Sequence, residues 1–217
     1  MIYMLITCIL MTLIGFLSGS VMYSYIIPRL AYHIDIRKKS PDGNPGSMNA
    51  VNAAGKPVGL ICMALDVIKA FVPVYVAVAV LQIAGYYIIP VAAAAVIGHA
   101  FSPFLKFRGG KAVAASFGSF LGIVQISKAV LLFAIITAIF TFVIVINPNS
   151  SKVIAGFAVS SMILMLAEPL PEIKIAALVI SLIVCWKHIT NPNKEALSVR
   201  VGPFAVSYEH KKFKFTK

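Results

Sequence analysis

Arg108-Gly109-Gly110-Lys111 runs without interruption into residues 112–126, AVAASFGSFLGIVQI. As a helix, that apolar segment is too short to cross roughly 30 Å of hydrocarbon unless its amino end starts below the headgroups. A glycine pair flanked by two cations therefore sits where lipid begins. Adjacent glycines let backbone N–H groups approach a ligand closely. A helix opening at Lys111 adds unpaired N–H groups and the positive end of its dipole. These are the ingredients of a phosphate site, in the half-helix arrangement that transporters use for anions.

The flanking composition fits lipid. Of 217 residues, 60% are hydrophobic and 12% charged, and the mean hydropathy is +0.94; a soluble domain carries about a quarter charged residues. The formal charge of +12 invites a nucleic-acid reading, but lipid-length apolar runs interrupt any basic stripe. Loop cations on the cytoplasmic side account for the charge instead. Cys8, Cys62 and Cys185 lie singly in apolar runs, too scattered for a metal site, and read as buried thiols. The first apolar run is longer than a signal-peptide core and lacks a basic leader, so no cleavable signal is expected.

Working outward, spans are expected at 2–27, 57–81, from past Gly85 to near Phe101, 112–126, 128–146, 153–167 and 173–186. The fold class is all-α: a polytopic integral membrane protein of about seven transmembrane or half-membrane helices. One membrane domain covers 1–197, and 198–217 is a basic cytoplasmic tail. Gly15, Ser18, Gly19 and Ser20 have the small-residue spacing of close helix packing. Pro28-Arg29 closes the first run, and Pro57 stands where its missing N–H is harmless at a helix start. Asp66 and Lys69, three apart, share one face of the second span. Of the 19 lysines and arginines, Lys69 lies in a span and Lys128 and Lys174 fall in loops after even-numbered spans. The other sixteen follow odd-numbered spans or lie in the tail. Positive residues stay inside, which puts the amino terminus outside and the tail in the cytoplasm.

The same count puts a second glycine loop, Pro41-Asp42-Gly43-Asn44-Pro45-Gly46-Ser47-Met48-Asn49, on the face that carries Gly109-Gly110. The two loops are expected to grip one anion at the membrane surface.

Gly98-His99-Ala100-Phe101-Ser102-Pro103-Phe104-Leu105-Lys106-Phe107-Arg108-Gly109-Gly110-Lys111-Ala112-Val113-Ala114 resembles the second motif of the bacterial acyl-phosphate:glycerol-3-phosphate acyltransferases of the PlsY type. Gly43-Asn44-Pro45-Gly46-Ser47-Met48-Asn49 is similar to their first motif, and Leu65-Asp66-Val67-Ile68-Lys69 to the segment after it. His188 and Asn191 keep the spacing of the third. The chain departs from the pattern at several polar positions. Asp42 replaces a Ser, Asn52 an Arg, Ala112 a Gly and Ala115 a Thr. Lys194 stands where Arg is usual, and the glycine beyond it is missing.

The resemblance implies transfer of a fatty acyl group from acyl-phosphate to the 1-hydroxyl of glycerol 3-phosphate, giving lysophosphatidic acid at the bacterial inner membrane. It implies small-molecule substrates and membrane lipids as partners, no nucleic acid, and neither cofactor nor metal. Gly43, Asn44, Gly46, Ser47 and Asn49, with Arg108, Gly109, Gly110 and Lys111, are the expected phosphate ligands. His188 and Asn191 position the acceptor, or His188 acts as base at a pKa near neutral; the substrate phosphate is an equal candidate to take the proton. Asp42 repels a phosphate unless protonated or paired with a neighbour such as Arg37 or Lys39. It serves as a base or, the preferred reading, caps its turn. Arg37, Asp66, Lys69 and His99 are expected in support.

Plainer roles stand beside these. Asp66–Lys69 reads equally as an internal ion pair, His99 as a donor to a loop carbonyl, and His188 as an interfacial anchor beside Trp186. Lys106 is an ordinary loop cation, and nothing surrounds His33 or His210. Two other functions fit: a homologue that binds a phosphorylated lipid precursor without turnover, and a small anion transporter. The second is weakened by charge gathered at one face rather than along several spans.

Overall fold

A computed structural model describes residues 2–128, 130–142, 144–147, 149–190, 198–201, 204–209 and 212–216, the strands by their backbone course. Helix α1 (Ile2–Ser20) breaks at Val21-Met22 and resumes as α2 (Tyr23–Tyr32). The chain therefore passes through Pro28, which was expected to end the run, and α2 closes only at His33 in the left-handed conformation. A single turn, α3 (Ile36–Lys39), and a short helix, α4 (Ser47–Ala54), lead to α5 (Lys56–Tyr75), with Pro57 in its first turn as expected. A π turn, Val76–Val80, extends α5. Then come α6 (Ile88–Ala100), α7 (Val113–Ile123), α8 (Val130–Phe142), α9 (Asn149–Ala167) and α10 (Pro171–Ile189).

Each of the seven expected apolar segments contains a helix. Among the described residues, four helical stretches are long and apolar enough to cross a membrane alone: Ile2–Tyr32, Lys56–Val80, Gly85–Leu105 and Asn149–Ala167. Helix α10 has 19 residues but carries Glu172, Lys174 and Lys187 near its ends. Helix α7, at 11 residues, is about 16 Å long and keeps the half-helix character read from the sequence.

Two stretches differ from expectation. The run read as a span over 128–146 is helical only to Phe142, and Ile144–Asn147 is a strand, β1. Its Ile-Val-Ile segment is β-branched and favours extended backbone. It pairs antiparallel with β2 (Ser198–Val201), which pairs with β3 (Phe204–Glu209), and β3 with β4 (Lys212–Thr216). The described residues of the tail are therefore strands of one sheet with β1. Because β1 follows α8, the sheet ties the tail to the α8–α9 turn.

Close helix approach positions everything else. Gly15 and Gly19 of α1 meet α6, and a Cβ at Gly19 would lie 2.1 Å from the Ala95 carbonyl oxygen. Gly98 of α6 answers on the other side, where a Cβ would lie 2.2 Å from the Phe16 carbonyl oxygen. Helix α7 seats against α5 through Gly118 and Gly122, opposite Val67 and Val74. Small residues at such contacts maximise backbone van der Waals packing where lipid supplies no hydrophobic drive. Behind them, Phe120, Phe133 and Phe157 form a buried aromatic cluster with centroids 4.5 and 4.9 Å apart, joining α7, α8 and α9. Leu5, Ile9, Leu13 and Leu17 leave α1 a half-exposed outer face suited to lipid. The three cysteines are free, Cys8 and Cys62 buried.

Candidate active site

The two glycine loops meet. Lys111 Nζ stands 2.9 Å from Asp42 Oδ2, with the two side chains 11% and 12% exposed. In the first loop Asp42 also caps its turn, its Oδ1 accepting from the Asn44 N–H at 3.1 Å and from Asn49 Nδ2 at 2.9 Å. Asn49 Nδ2 reaches the Asn44 carbonyl oxygen at 2.8 Å as well, so Asn49, from the first turn of α4, braces the loop from below. Gly43 takes φ +62° with nothing within 4 Å of where a Cβ would be, and Gly46 precedes α4 as its cap. Ser47 opens that helix. Burial raises the Asp42 carboxyl, but Lys111, Asn49 and the Asn44 N–H outweigh it and hold it below the usual carboxylate range. The expected alternatives for its partner do not apply to Arg37. That guanidinium lies 3.5 Å from Asp35 and donates to the Tyr25 hydroxyl at 2.9 Å.

The second loop is built differently. Lys106 and Phe107 adopt φ +53° and +61° in succession, turning the chain around the Ser102 carbonyl, which accepts from the Leu105 and Phe107 N–H groups. The chain then folds back on His99. The Gly110 N–H donates to the His99 carbonyl oxygen at 2.9 Å, so this amide, expected to face a ligand, is used internally. A Cβ at Gly109 would lie 2.0 Å from that same oxygen, and one at Gly110 would lie 2.2 Å from His99 Nε2. Ala112 takes φ +62° and stands before α7 as its cap. That left-handed backbone gives a physical reason for the glycine the PlsY-type pattern has there. Arg108 is exposed beside the loop.

Beneath Gly109-Gly110 lies a buried polar network. Lys69 Nζ is 2.8 Å from Asp66 Oδ1, and His99 Nδ1 is 3.7 Å from the same oxygen. Ser24 Oγ donates to Asp66 Oδ2 at 2.9 Å, and Lys69 Nζ donates to the Val21 carbonyl at the α1–α2 break. All four side chains are buried. Unpaired, a carboxylate or ammonium at this depth would be prohibitive. The network therefore fixes α5, α6 and the α1–α2 break against one another and gives the glycine loop its floor. The internal ion pair read from Asp66 and Lys69 is present.

The third contributor is the end of α10, beyond the apolar span that closes at Trp186. His188 is 2% exposed, and among the described residues neither ring nitrogen has a hydrogen-bond partner. Burial, then the charge of Lys111, lowers its pKa to about 4 against an opposing pull from Asp42. The ring is neutral at pH 7, which displaces the expectation of a base near neutral. Lys187 is also held below its ordinary range, by burial and then by Lys111, and lies 5.3 Å over the Phe101 ring. Sequence reading used Lys187 only for orientation; its place next to His188 at the helix end was the available signal. Asn191 lies outside the described residues. The assembled site has Lys111 and Lys187 as cations against one carboxylate, a neutral imidazole and the amino ends of α4 and α7. That is a setting for a phosphorylated small molecule.

Known proteins agree in kind. A family model described as glycerol-3-phosphate acyltransferase matches residues 9–196. A glycerol-3-phosphate acyltransferase of Endomicrobium trichonymphae is 33% identical over 84% of this chain and 89% of its own. One from Syntrophotalea carbinolica is 32% identical over 84% and 90%. Among solved structures, the glycerol 3-phosphate form of PlsY, an integral membrane glycerol 3-phosphate acyltransferase, superposes with a TM-score of 0.73. It is 25% identical, over 85% of this chain and 89% of that one. The lysophosphatidic acid form gives a TM-score of 0.69.

Proposed function

The chain belongs to the glycerol-3-phosphate acyltransferase family, and from that premise we infer which of its residues hold the substrates and move the acyl group. It is a multi-pass membrane acyltransferase of phospholipid synthesis that acylates glycerol 3-phosphate. The donor in this reading is acyl-phosphate. The 1-hydroxyl oxygen of glycerol 3-phosphate attacks the acyl carbonyl carbon, and the bond from that carbon to the phosphate oxygen breaks. Inorganic phosphate and lysophosphatidic acid are released. The mixed anhydride carries its own leaving group, so the protein's task is positioning and charge stabilisation.

The observation that carries the residue assignment is the meeting of the two loops at Lys111, whose charge reaches the buried ring of His188, without a hydrogen-bond partner among the described residues. Lys111 and Lys187 supply charge to the two phosphates. The loop of Gly43, Asn44, Gly46, Ser47 and Asn49 cradles one of them, and Arg108 is placed to close over it by a bidentate contact. Gly109 and Gly110 hold Lys111 in register. With a pKa near 4, His188 is a weak base at pH 7, and the departing phosphate is the better proton acceptor. His188 and Asn191 then orient the acceptor hydroxyl. Asp42 competes with phosphate for Lys111. Apolar helix walls accommodate the acyl chain. The membrane in this reading is the bacterial cytoplasmic membrane, with the amino terminus outside and both loops facing the cytoplasm.

Purified protein given acyl-phosphate and labelled glycerol 3-phosphate tests the reading. Labelled lysophosphatidic acid with matching phosphate release supports it. Binding without product, or product only from another acyl donor, refutes the donor assignment.

A further inference from the structure

Tyr25, 8% exposed, stands between two environments. Its ring helps line an apolar groove of about 320 Å³ formed by Val21, Met22, Tyr25, Ile26, Phe104 and Leu105. Its hydroxyl, at the other end, accepts from the guanidinium groups of both Arg29 and Arg37. Both cations also lie over the ring, 5.4 and 4.3 Å from its centroid. Two like charges thus converge on one neutral oxygen. Among the described residues, Asp35 is the carboxylate in ion-pair reach, 3.5 Å from Arg37, and Arg29 has none. Lys38 and Lys39 raise the local excess further. Among the described residues, one carboxylate thus faces two guanidinium groups and two nearby lysines. Leu30, Tyr32 and Phe104 nearby in the sequence or groove are 74%, 53% and 65% exposed, which suits a surface set in lipid rather than water.

We propose that the groove and the arginine pair bind an anionic phospholipid of the surrounding bilayer, one acyl chain along the groove and the headgroup phosphate between Arg29 and Arg37. A tyrosine suits the junction, with an apolar body beside the chain and a polar tip at the headgroup. Guanidinium forks favour phosphate geometrically, and an anionic leaflet favours a cationic rim. The site is separate from the assignment of the acyl-transfer residues and is read out without any substrate.

The full-length protein in detergent, mixed with equimolar phosphatidylglycerol and phosphatidylcholine of equal chain length, is followed by native mass spectrometry. Phosphatidylglycerol is retained about fivefold over phosphatidylcholine, and Arg29→Gln removes that preference. Ile26→Trp, which fills the groove and leaves both arginines, lowers retention of phosphatidylglycerol and keeps the test standing if Arg29→Gln folds poorly. Equal retention of the two lipids by the unaltered protein overturns the proposal, as does unchanged preference in both variants. Displacement of phosphatidylglycerol by inorganic phosphate, or by a long-chain alkyl phosphonate standing in for the acyl donor, also overturns it. The first would make the rim a free-phosphate site, and the second would give the groove to the donor.

Discussion

The two glycine loops use the same residue for opposite ends. At Gly43 the backbone takes a left-handed turn into open space, with nothing within 4 Å of an added Cβ. At Gly109 and Gly110 an added Cβ would enter the His99 carbonyl and ring at 2.0 and 2.2 Å. The first loop turns into open space at Gly43 but is tied to the second through Asp42 and Lys111. The second is bolted to a buried Lys69–Asp66–His99 network and presents Lys111. In the proposed reading one loop cradles the ligand and the other holds the residue that meets it. A glycine pattern in sequence does not distinguish these uses, because both satisfy the same local signature.

The contrast is broken most directly at the glycines themselves. Gly110→Ala drives a methyl into an imidazole held from behind by Asp66, and should cost about 3 kcal/mol or more, with at least a hundredfold fall in kcat/KM. Gly43→Ala meets no neighbour and bears only the left-handed backbone penalty of about 1–2 kcal/mol. Thermal unfolding in detergent alongside turnover reads both, and equal losses at the two sites would erase the distinction.

A smaller effect is expected at Asp42, where the loops touch. Asp42→Ser releases Lys111 to the substrate phosphate and should lower KM for glycerol 3-phosphate about tenfold, the scale of one charge-assisted hydrogen bond. An increase in KM would mean that Asp42 positions Lys111 rather than competing for it.

The pH dependence sharpens the same contact. The folded-state pKa of Asp42 is lowered, so its contribution to stability is fully present above the unfolded value near 3.9. It is lost as pH falls through the lower folded value. His188, depressed to about 4, acts in a higher window: the unfolded chain takes up its proton first, and stability falls between about pH 6.5 and 4. Melting temperatures of the unaltered protein, Asp42→Ser and His188→Asn across pH 7 to 3 should separate the windows. His188→Asn flattens the upper one, and Asp42→Ser the lower.

The least effect belongs to Ala112, whose φ of +62° strains an ordinary residue. Ala112→Gly should gain up to about 1 kcal/mol, the relief of the left-handed backbone offset by the entropy of a more flexible unfolded chain. A loss on the same melting assay would show that its buried methyl matters more than the backbone.

Much of this was legible in the chain. The apolar runs gave the helical segments because lipid length and composition constrain them strongly, and the shortness of α7 followed from counting residues. The cation asymmetry put both loops on one face, and their contact at Lys111 agrees. What escaped depended on tertiary partners. Nothing local marks Ser24 as the donor that completes Asp66, or shows that the Gly110 amide is spent on His99. Arg37 looked available to Asp42 by proximity in sequence, yet Tyr25, twelve residues earlier, holds it. The strand at Ile144–Asn147 was hidden by reading β-branched apolar residues as more membrane helix. The alternating Lys212-Phe213-Lys214-Phe215 was a strand signal read only for its charge.

In the proposed site Lys111, carried by the braced loop to Asp42 of the other, holds the phosphate of the acceptor. Calorimetric titration of glycerol 3-phosphate into the unaltered protein and Lys111→Ala, without acyl donor, tests it most directly. Binding is expected to be at least tenfold weaker in Lys111→Ala, with the melting profile otherwise cooperative. An unchanged Kd in a folded Lys111→Ala protein would contradict it.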